Sequence, residues 1–182
     1  MRVFIAITLE DEMKKYIAQR QATVKNLSIK GNFTRTDNFH LTLRFIGEVN
    51  ENQIQAIKKA MDDTANAIKP FELRLGQLGQ FPRREKKIVW IGIHEGRKPL
   101  QDLFESIESH LEKEGFEREG RGLKPHITLG REIRLKEPFE ALMNEMQIQG
   151  KKIPVEKIAL MESKRVEGIL KYIPIYTKTL NG

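Results

Sequence analysis

The sequence predicts an α+β fold: a bilobal, pseudo-symmetric molecule with two mainly antiparallel sheets facing a central cleft and helices on the outside. Three observations carry this expectation. The segments read in the order strand, helix, strand, helix, hairpin, helix, strand, helix, hairpin, so one pattern recurs along the chain. One phrase occurs twice, as His40-Leu41-Thr42-Leu43 and His126-Ile127-Thr128-Leu129, with the histidines 86 residues apart, close to half the chain. The length of 182 residues, 39% hydrophobic and 31% charged, suits one soluble globular domain over residues 1–182, large enough to bury a core. Outside the two phrases the halves do not align.

Met1–Thr8, rich in Val, Ile and Phe, reads as a buried strand. Leu9–Asn26 reads as a helix, because its opening carboxylates Glu10, Asp11 and Glu12 suit the positive end of a helix dipole. Gly31 and the polar run Asn32–Asn38 read as a turn. Phe39–Glu48 alternates as the first motif strand and is stopped by Gly47. Glu51–Ile68 is an amphipathic helix with Ile54, Ile57, Ala60 and Met61 at helical spacing, ended by Pro70. Phe71–Phe81 and Lys87–His94 form a hairpin around Pro82 and the basic turn Arg83–Lys87. Lys98–Lys113 carries Leu100, Leu103, Phe104, Ile107 and Leu111 on one stripe. Gly115–Gly122 is a charged loop, and Pro125 introduces the second motif strand, His126–Ile133. Glu137–Met146 is a short helix. Val155–Val166 and Ile169–Thr179 are two strands joined near Glu167-Gly168.

The repeated phrase is the strongest functional signal. Successive side chains of a strand point to opposite faces, so each copy sets a histidine and a threonine side by side and anchors two apolar residues behind them. With 4 histidines and 9 threonines in the chain, chance gives about one histidine in twenty a threonine two places on. Two imidazoles and two hydroxyls in one cleft suit acid–base chemistry on a phosphodiester, since histidine serves as either acid or base near neutral pH.

Composition narrows the alternatives. There are no cysteines, which excludes disulfides, thiolate nucleophiles and Cys-based metal sites. The His-x-Thr spacing is not that of a zinc site, so no metal and no cofactor is expected. No stretch approaches the ~20 apolar residues of a membrane span. The first apolar run is too short for a signal peptide and is followed at once by acidic residues, so the cytoplasm is the expected location. The net charge of +7 favours an anionic partner, nucleic acid first. Nothing demands more than a monomer.

Several other residues are candidates. Arg44 has the strand parity of His40, which places it as a phosphate ligand or a solvated strand end. Arg131 has the opposite parity to His126 unless the strand bends at Gly130. Trp90 and Phe45 can stack on a base, yet both lie in aliphatic runs that point to core packing. Arg83, Arg84, Lys86 and Lys87 form either an RNA-steering turn or a plain hairpin tip. His94 and His110 lack the following threonine.

These residues resemble a known family, the two-histidine phosphoesterases, and more closely the RNA 2′,3′-cyclic phosphodiesterases also called 2′-5′ RNA ligases. The resemblance covers nearly the whole chain. It rests on Arg2-Val3-Phe4-Ile5-Ala6-Ile7, on Phe39–Glu48, on Phe81-Pro82 with Val89-Trp90-Ile91-Gly92, and on Lys124-Pro125-His126-Ile127-Thr128-Leu129-Gly130-Arg131. It implies a pseudo-twofold axis, a basic cleft and metal-free hydrolysis of RNA 2′,3′-cyclic phosphate ends, or of small cyclic nucleotides, to 2′-phosphates. It further implies His40 as proton donor to the leaving 3′ oxygen, His126 as proton acceptor from water, and a basic residue at Arg131; the hydroxyls of Thr42 and Thr128, as hydrogen-bond donors, and Arg44, by its strand parity, are the other candidates for the phosphate. Ligation through the reverse reaction and a catalytically idle RNA-end binding module are the alternatives.

Overall fold

The computed structural model describes residues 1–182. Its strands are β1 (Arg2–Thr8), β2 (Ser28–Phe33), β3 (His40–Glu48), β4 (Phe71–Arg83), β5 (Lys86–Glu95), β6 (His126–Leu135), β7 (Lys152–Val155), β8 (Lys157–Val166) and β9 (Ile169–Thr179). Its helices are α1 (Asp11–Asn26), α2 (Glu51–Ala67), α3 (Arg97–Lys113) and α4 (Phe139–Glu145), with a 3₁₀ turn at Thr36–Asn38. The strands form two wholly antiparallel sheets, β3-β1-β8-β9 and β2-β6-β5-β4-β7. The α+β fold with two antiparallel sheets is therefore as expected.

The symmetry lies in the strand order. The series β3-β1-β8-β9 is matched by β6-β5-β4-β7, each starting at a motif strand, and β2 is added outside β6. The lobes are not halves of the chain: the C-terminal hairpin β8–β9 returns to the sheet of β1, and the middle hairpin β4–β5 joins the sheet of β6.

β1 shows why its sequence is continuously apolar. Val3, Ile5 and Ile7 enter the main core of 37 buried residues, while Phe4 and Ala6 form a separate cluster with Ala159 and Met161 on the other face. A strand covered on both sides has no polar face to alternate with. The small second cluster marks the cleft face of that sheet. α2 begins at a capping box, with Asn50 Oδ1 accepting from the Gln53 backbone N–H and Gln53 Oε1 accepting from that of Asn50, both at 2.9 Å. It buries Ile54, Ile57, Ala60 and Met61, the stripe read from the sequence, as α3 buries Leu100, Leu103, Phe104, Ile107 and Leu111.

Two strands lie outside the sequence expectation. β2 ends inside the segment read as a turn, and β7 precedes the strand read from Val155. Both are edge strands: β2 carries Lys30 and Asn32 at exposed positions and lacks an apolar alternation, while β7 alternates over only four residues, with Pro154 among them. No helix is long and apolar enough to cross a membrane.

Candidate active site

Both motif strands carry the same irregularity at the same place. In β3, Thr42 pairs with Ala6 and Arg44 with Ile5, so Leu43 is an extra residue. In β6, Thr128 pairs with Trp90 and Gly130 with Val89, so Leu129 is extra. The burial of the two strands is identical over six residues: half-buried His, buried, half-buried Thr, two buried in succession, then exposed. An extra residue inverts the alternation beyond it. Arg44 and Gly130 therefore turn inward, and Phe45 and Arg131 turn to the histidine face.

This corrects the expectation for Arg44. Its guanidinium is only 9% exposed, forms an ion pair with Glu108 of α3, and donates to the Glu117 carbonyl at 2.5 Å. The second Glu108 oxygen accepts from the Glu119 backbone N–H at 2.6 Å. Arg44 thus clamps the loop that leads into the second motif and is unavailable to a phosphate. The same bulge resolves the parity of Arg131 the other way. Its exposed cation acts on both motif histidines, lowering the pKa of each. Gly130 suits the inward position because a Cβ there would stand 2.9 Å from Ile133 Cδ1 and 3.1 Å from the Asn32 carbonyl.

The two imidazoles are held in one way. His40 Nδ1 lies 2.7 Å from the Asn38 carbonyl oxygen and His126 Nδ1 lies 2.5 Å from that of Lys124, each two residues upstream. A carbonyl only accepts, so both Nδ1 atoms carry the proton and Nε2 is the working nitrogen of each ring. His40 Nε2 is 2.8 Å from Thr42 Oγ1, whose hydroxyl donates to the neutral ring. Thr128 shares the face of His126 and is half-buried. Aromatic rings stand edge-on to both histidines: Tyr172 against His40 and Phe81 against His126, each at 5.1 Å between ring centres. Trp90 lies beside His126 at 5.9 Å and spreads over Gly79, where a Cβ would fall 2.0 Å from the indole.

Three supports of His40 were not legible in the sequence. Asn38 is 7% exposed; its amide donates to the Leu170 carbonyl at 3.0 Å and accepts from the Tyr172 backbone N–H at 3.2 Å. Lys14 of α1 donates to the Asp37 carbonyl at 3.0 Å and its charge reaches His40. Phe4 stacks at 4.9 Å from the His40 ring. The remaining histidines lie elsewhere: His94 is exposed, and His110 donates through Nδ1 to the Ser106 carbonyl at 2.8 Å, beside Thr64 of α2. No group of three or more His, Cys, Asp or Glu side chains is placed to hold a metal ion. A cavity of about 310 Å³ opens between the start of α1 and β7, lined by Glu10, Met13, Lys152 and Thr8, which pairs with His40; neither histidine lines it.

Burial drives the His40 pKa from 6.5 down to about 4, against the Asn38 bond that raises it; the positive charges of His126, Arg131 and Lys14 lower it further. Burial also lowers His126, followed by Arg131, against the bond to Lys124. The His40 shift has a consequence for stability. Above pH 6.5 neither the folded nor the unfolded chain binds this proton; between pH 6.5 and about 4 only the unfolded chain does, so stability falls as pH falls through that window. At about 1.4 kcal/mol per pH unit the loss is about 3 kcal/mol. Urea titrations at pH 7 and pH 4 will show wild type losing about 3 kcal/mol more than His40→Asn; equal losses would refute the shift.

Residues 10–167 match the sequence profile of the 2′-5′ RNA ligase superfamily. The RNA 2′,3′-cyclic phosphodiesterase of Methanothermobacter thermautotrophicus is 30% identical over 181 residues, covering 97% of this chain and 95% of that protein. The enzyme of the same name from Thermotoga maritima is 27% identical over 164 residues, covering 90% and 87%. Escherichia coli LigT, solved with 3′-AMP, superposes with a TM-score of 0.78 at 26% identity, covering 100% of this chain and 98% of that one. Taken with the paired His-x-Thr strands, these likenesses show that the chain belongs to the 2′-5′ RNA ligase superfamily.

Proposed function

We propose that this protein opens RNA 2′,3′-cyclic phosphates to 2′-phosphates without a metal. The observation that carries the reading is the pair of Nδ1-anchored imidazoles, each beside a threonine, within reach of the Arg131 charge. His40 Nε2 gives a proton to the departing 3′ oxygen as the P–O3′ bond breaks. His126 Nε2 takes a proton from the water whose oxygen forms the new bond to phosphorus. Thr42 and Thr128 donate to the non-bridging oxygens and Arg131 balances their charge, a preorganised electrostatic role. The names of the relatives support the substrate class, and the net charge of +7 supports an RNA partner. Residues 1–182 act as one bilobal unit in this reading, supported by a core contiguous across both sheets.

The lowered histidines add a condition. In the empty site His40 is neutral at pH 7, so it takes a proton from solvent as the substrate binds, because the negative charge of the phosphodiester favours the imidazolium. In the free protein the acid must be protonated and the base neutral, which places the maximum of kcat/KM below pH 6.5. The test is hydrolysis of a nucleoside 2′,3′-cyclic phosphate in a chelator across pH. The expected product is the 2′-phosphate, with an acid-shifted kcat/KM profile. Binding without conversion supports the non-catalytic module, loss of turnover in chelator refutes the metal-free route, and a kcat/KM maximum above pH 7 refutes the lowering of the two imidazoles in the free protein. The same steps with a 5′-hydroxyl in place of water, its oxygen bonding to phosphorus as the P–O3′ bond breaks and the 3′ oxygen takes the proton, would join RNA through a 2′-5′ linkage at the same site.

A further inference from the structure

The cavity of about 310 Å³ at the start of α1 is walled by the same two sheets that carry the imidazoles. On one wall Thr8 lines it, pairs with His40, and continues the alternation that puts Phe4 and Ala6 on the cleft face. Lys14, one helical turn beyond Glu10, donates to the Asp37 carbonyl in the turn that leads to His40. On the other wall the pairing runs from His126 to Gly92, from β5 to β4, and from β4 to β7. The buried Leu73, Leu75, Ile91, Ile127, Ile153 and Val155 fix the core face of that sheet, so Lys152 and Pro154 stand on the same face as His126. Three strand spacings, about 14 Å, separate β6 from β7.

The floor between them is low. Gly92 has no side chain, and neither has Gly76, where a Cβ would stand 3.2 Å from the Gly92 carbonyl. Gln77 is folded onto the segment before β7, donating to the Ile148 carbonyl at 3.0 Å. A ligand entering beside His126 can therefore lie along β5 and β4 until it meets the cavity. The lining there is of mixed sign. Glu12 pairs with Lys15 at 3.7 Å, and the Lys151 ammonium rests 4.8 Å from the centre of the Tyr16 ring. Glu10 and Lys152, both exposed, enter no ion pair. One free carboxylate and one free ammonium suit a ligand that presents hydroxyl or amino donors at one place and an anion at another. The volume lies within the range of small-ligand sites, about 300–1,000 Å³.

We propose that the strip from His126 to Lys152, with the cavity at its end, is the subsite for the 5′-hydroxyl end of a second RNA strand in the joining reaction. Such an end carries no phosphate on its 5′ side, so its O5′ reaches His126 uncharged. Its ribose hydroxyl or exocyclic amine donates to Glu10, and its 3′ phosphate meets Lys152. His126 takes the O5′ proton, O5′ bonds to phosphorus, the P–O3′ bond breaks, and the 3′ oxygen takes a proton from His40. The mixed lining fits a nucleoside with a single phosphate better than a run of phosphates, and it lies on the sheet of the histidine that activates the nucleophile. This inference rests on the cyclic-phosphate reading of the site.

The test supplies adenosine 2′,3′-cyclic phosphate together with cytidine 3′-phosphate or with cytidine at equal concentration. Chromatography reads the ratio of 2′-5′-joined product to 2′-AMP, so opening of the cyclic phosphate is the internal reference in every variant. Wild type will give a ratio about tenfold higher with cytidine 3′-phosphate, the scale of one charge-assisted hydrogen bond. Lys152→Gln will bring the two ratios to within about twofold, and Lys152→Arg will keep them apart. Lys152 is exposed on an edge strand, so these replacements leave the core untouched. A wild type that opens the cyclic phosphate but joins neither acceptor or both alike overturns the acceptor subsite, as does a Lys152→Gln protein that keeps the preference. A wild type that leaves the cyclic phosphate intact overturns the reading of the site itself, so the two failures are distinguishable.

Discussion

His126→Ala and His40→Ala each lower turnover of a nucleoside 2′,3′-cyclic phosphate by about 10³-fold, and the double variant is little worse than either single one. General acid–base catalysis by a positioned side chain is worth about 10²- to 10⁴-fold. In the proposed mechanism the two imidazoles act on opposite sides of one displacement, so removing either leaves the other without its partner step, and the losses do not add. His126 also stands beside Phe81 and Trp90, but its ring lies nearer solvent and hangs on the carbonyl of exposed Lys124, so its replacement costs less in folding than that of His40. His40 sits among Phe4, Tyr172 and Thr42, so His40→Ala also loosens packing. Its kinetic defect is therefore to be read at a temperature well below the melting transition. Steady-state kcat with a single cyclic nucleotide is the measurement, and wild-type-like turnover in His126→Ala would sink the mechanism.

Arg44→Met lowers the melting temperature by about 10 °C while leaving KM for the cyclic phosphate close to wild type. The change strands Glu108, which is 2% exposed, without its cation. Breaking a buried pair from one side costs about 3–5 kcal/mol, which for a chain of this size is about 2–4 °C per kcal/mol. The ordering of the loop at Glu117 and Glu119 goes with it, because both backbone contacts run through this pair. Arg44→Met combined with Glu108→Leu recovers most of the loss, since an apolar pair of similar volume needs no compensating charge. Calorimetry on the three variants beside KM separates this role from the phosphate contact that strand parity suggests. A tenfold rise in KM with an unchanged melting temperature would restore Arg44 to the site.

The difference between Arg44 and Arg131 shows which features a sequence displays and which it hides. The His-x-Thr phrase is a local pattern of period two, and the structure places both copies as alternation requires. The facing of the residues beyond each phrase depends on register against β1 and β5, and one extra residue there exchanges inward for outward. The only local trace is the second residue past each threonine: Gly130, which has no side chain to bury, and Arg44, which buries one by pairing with Glu108 more than sixty residues away. The apolar stripes of α2 and α3 are readable because their period is that of a helix. Asn38 and Lys14 give no such signal, since one acts through Leu170 and Tyr172 and the other through a backbone carbonyl. Phe45 reads as core because its neighbours in sequence are apolar, whereas the bulge separates it from them.

The return of the last hairpin to the first strand also sets the order in which the molecule can be made. As the chain leaves the ribosome, β1 and β3 are present within the first 48 residues, but β8, which covers the other edge of β1, begins only at Lys157. All five strands of the His126 sheet lie between Ser28 and Val155, so that sheet can close first. Until the tail arrives, Phe4 and Ala6 lack Ala159 and Met161, and β1 exposes an unpaired edge of the kind that invites aggregation. The newborn chain thus acquires its second imidazole site last, when Tyr172 reaches His40, and a truncation after Val155 would leave a protein with one finished half of a two-handed catalyst.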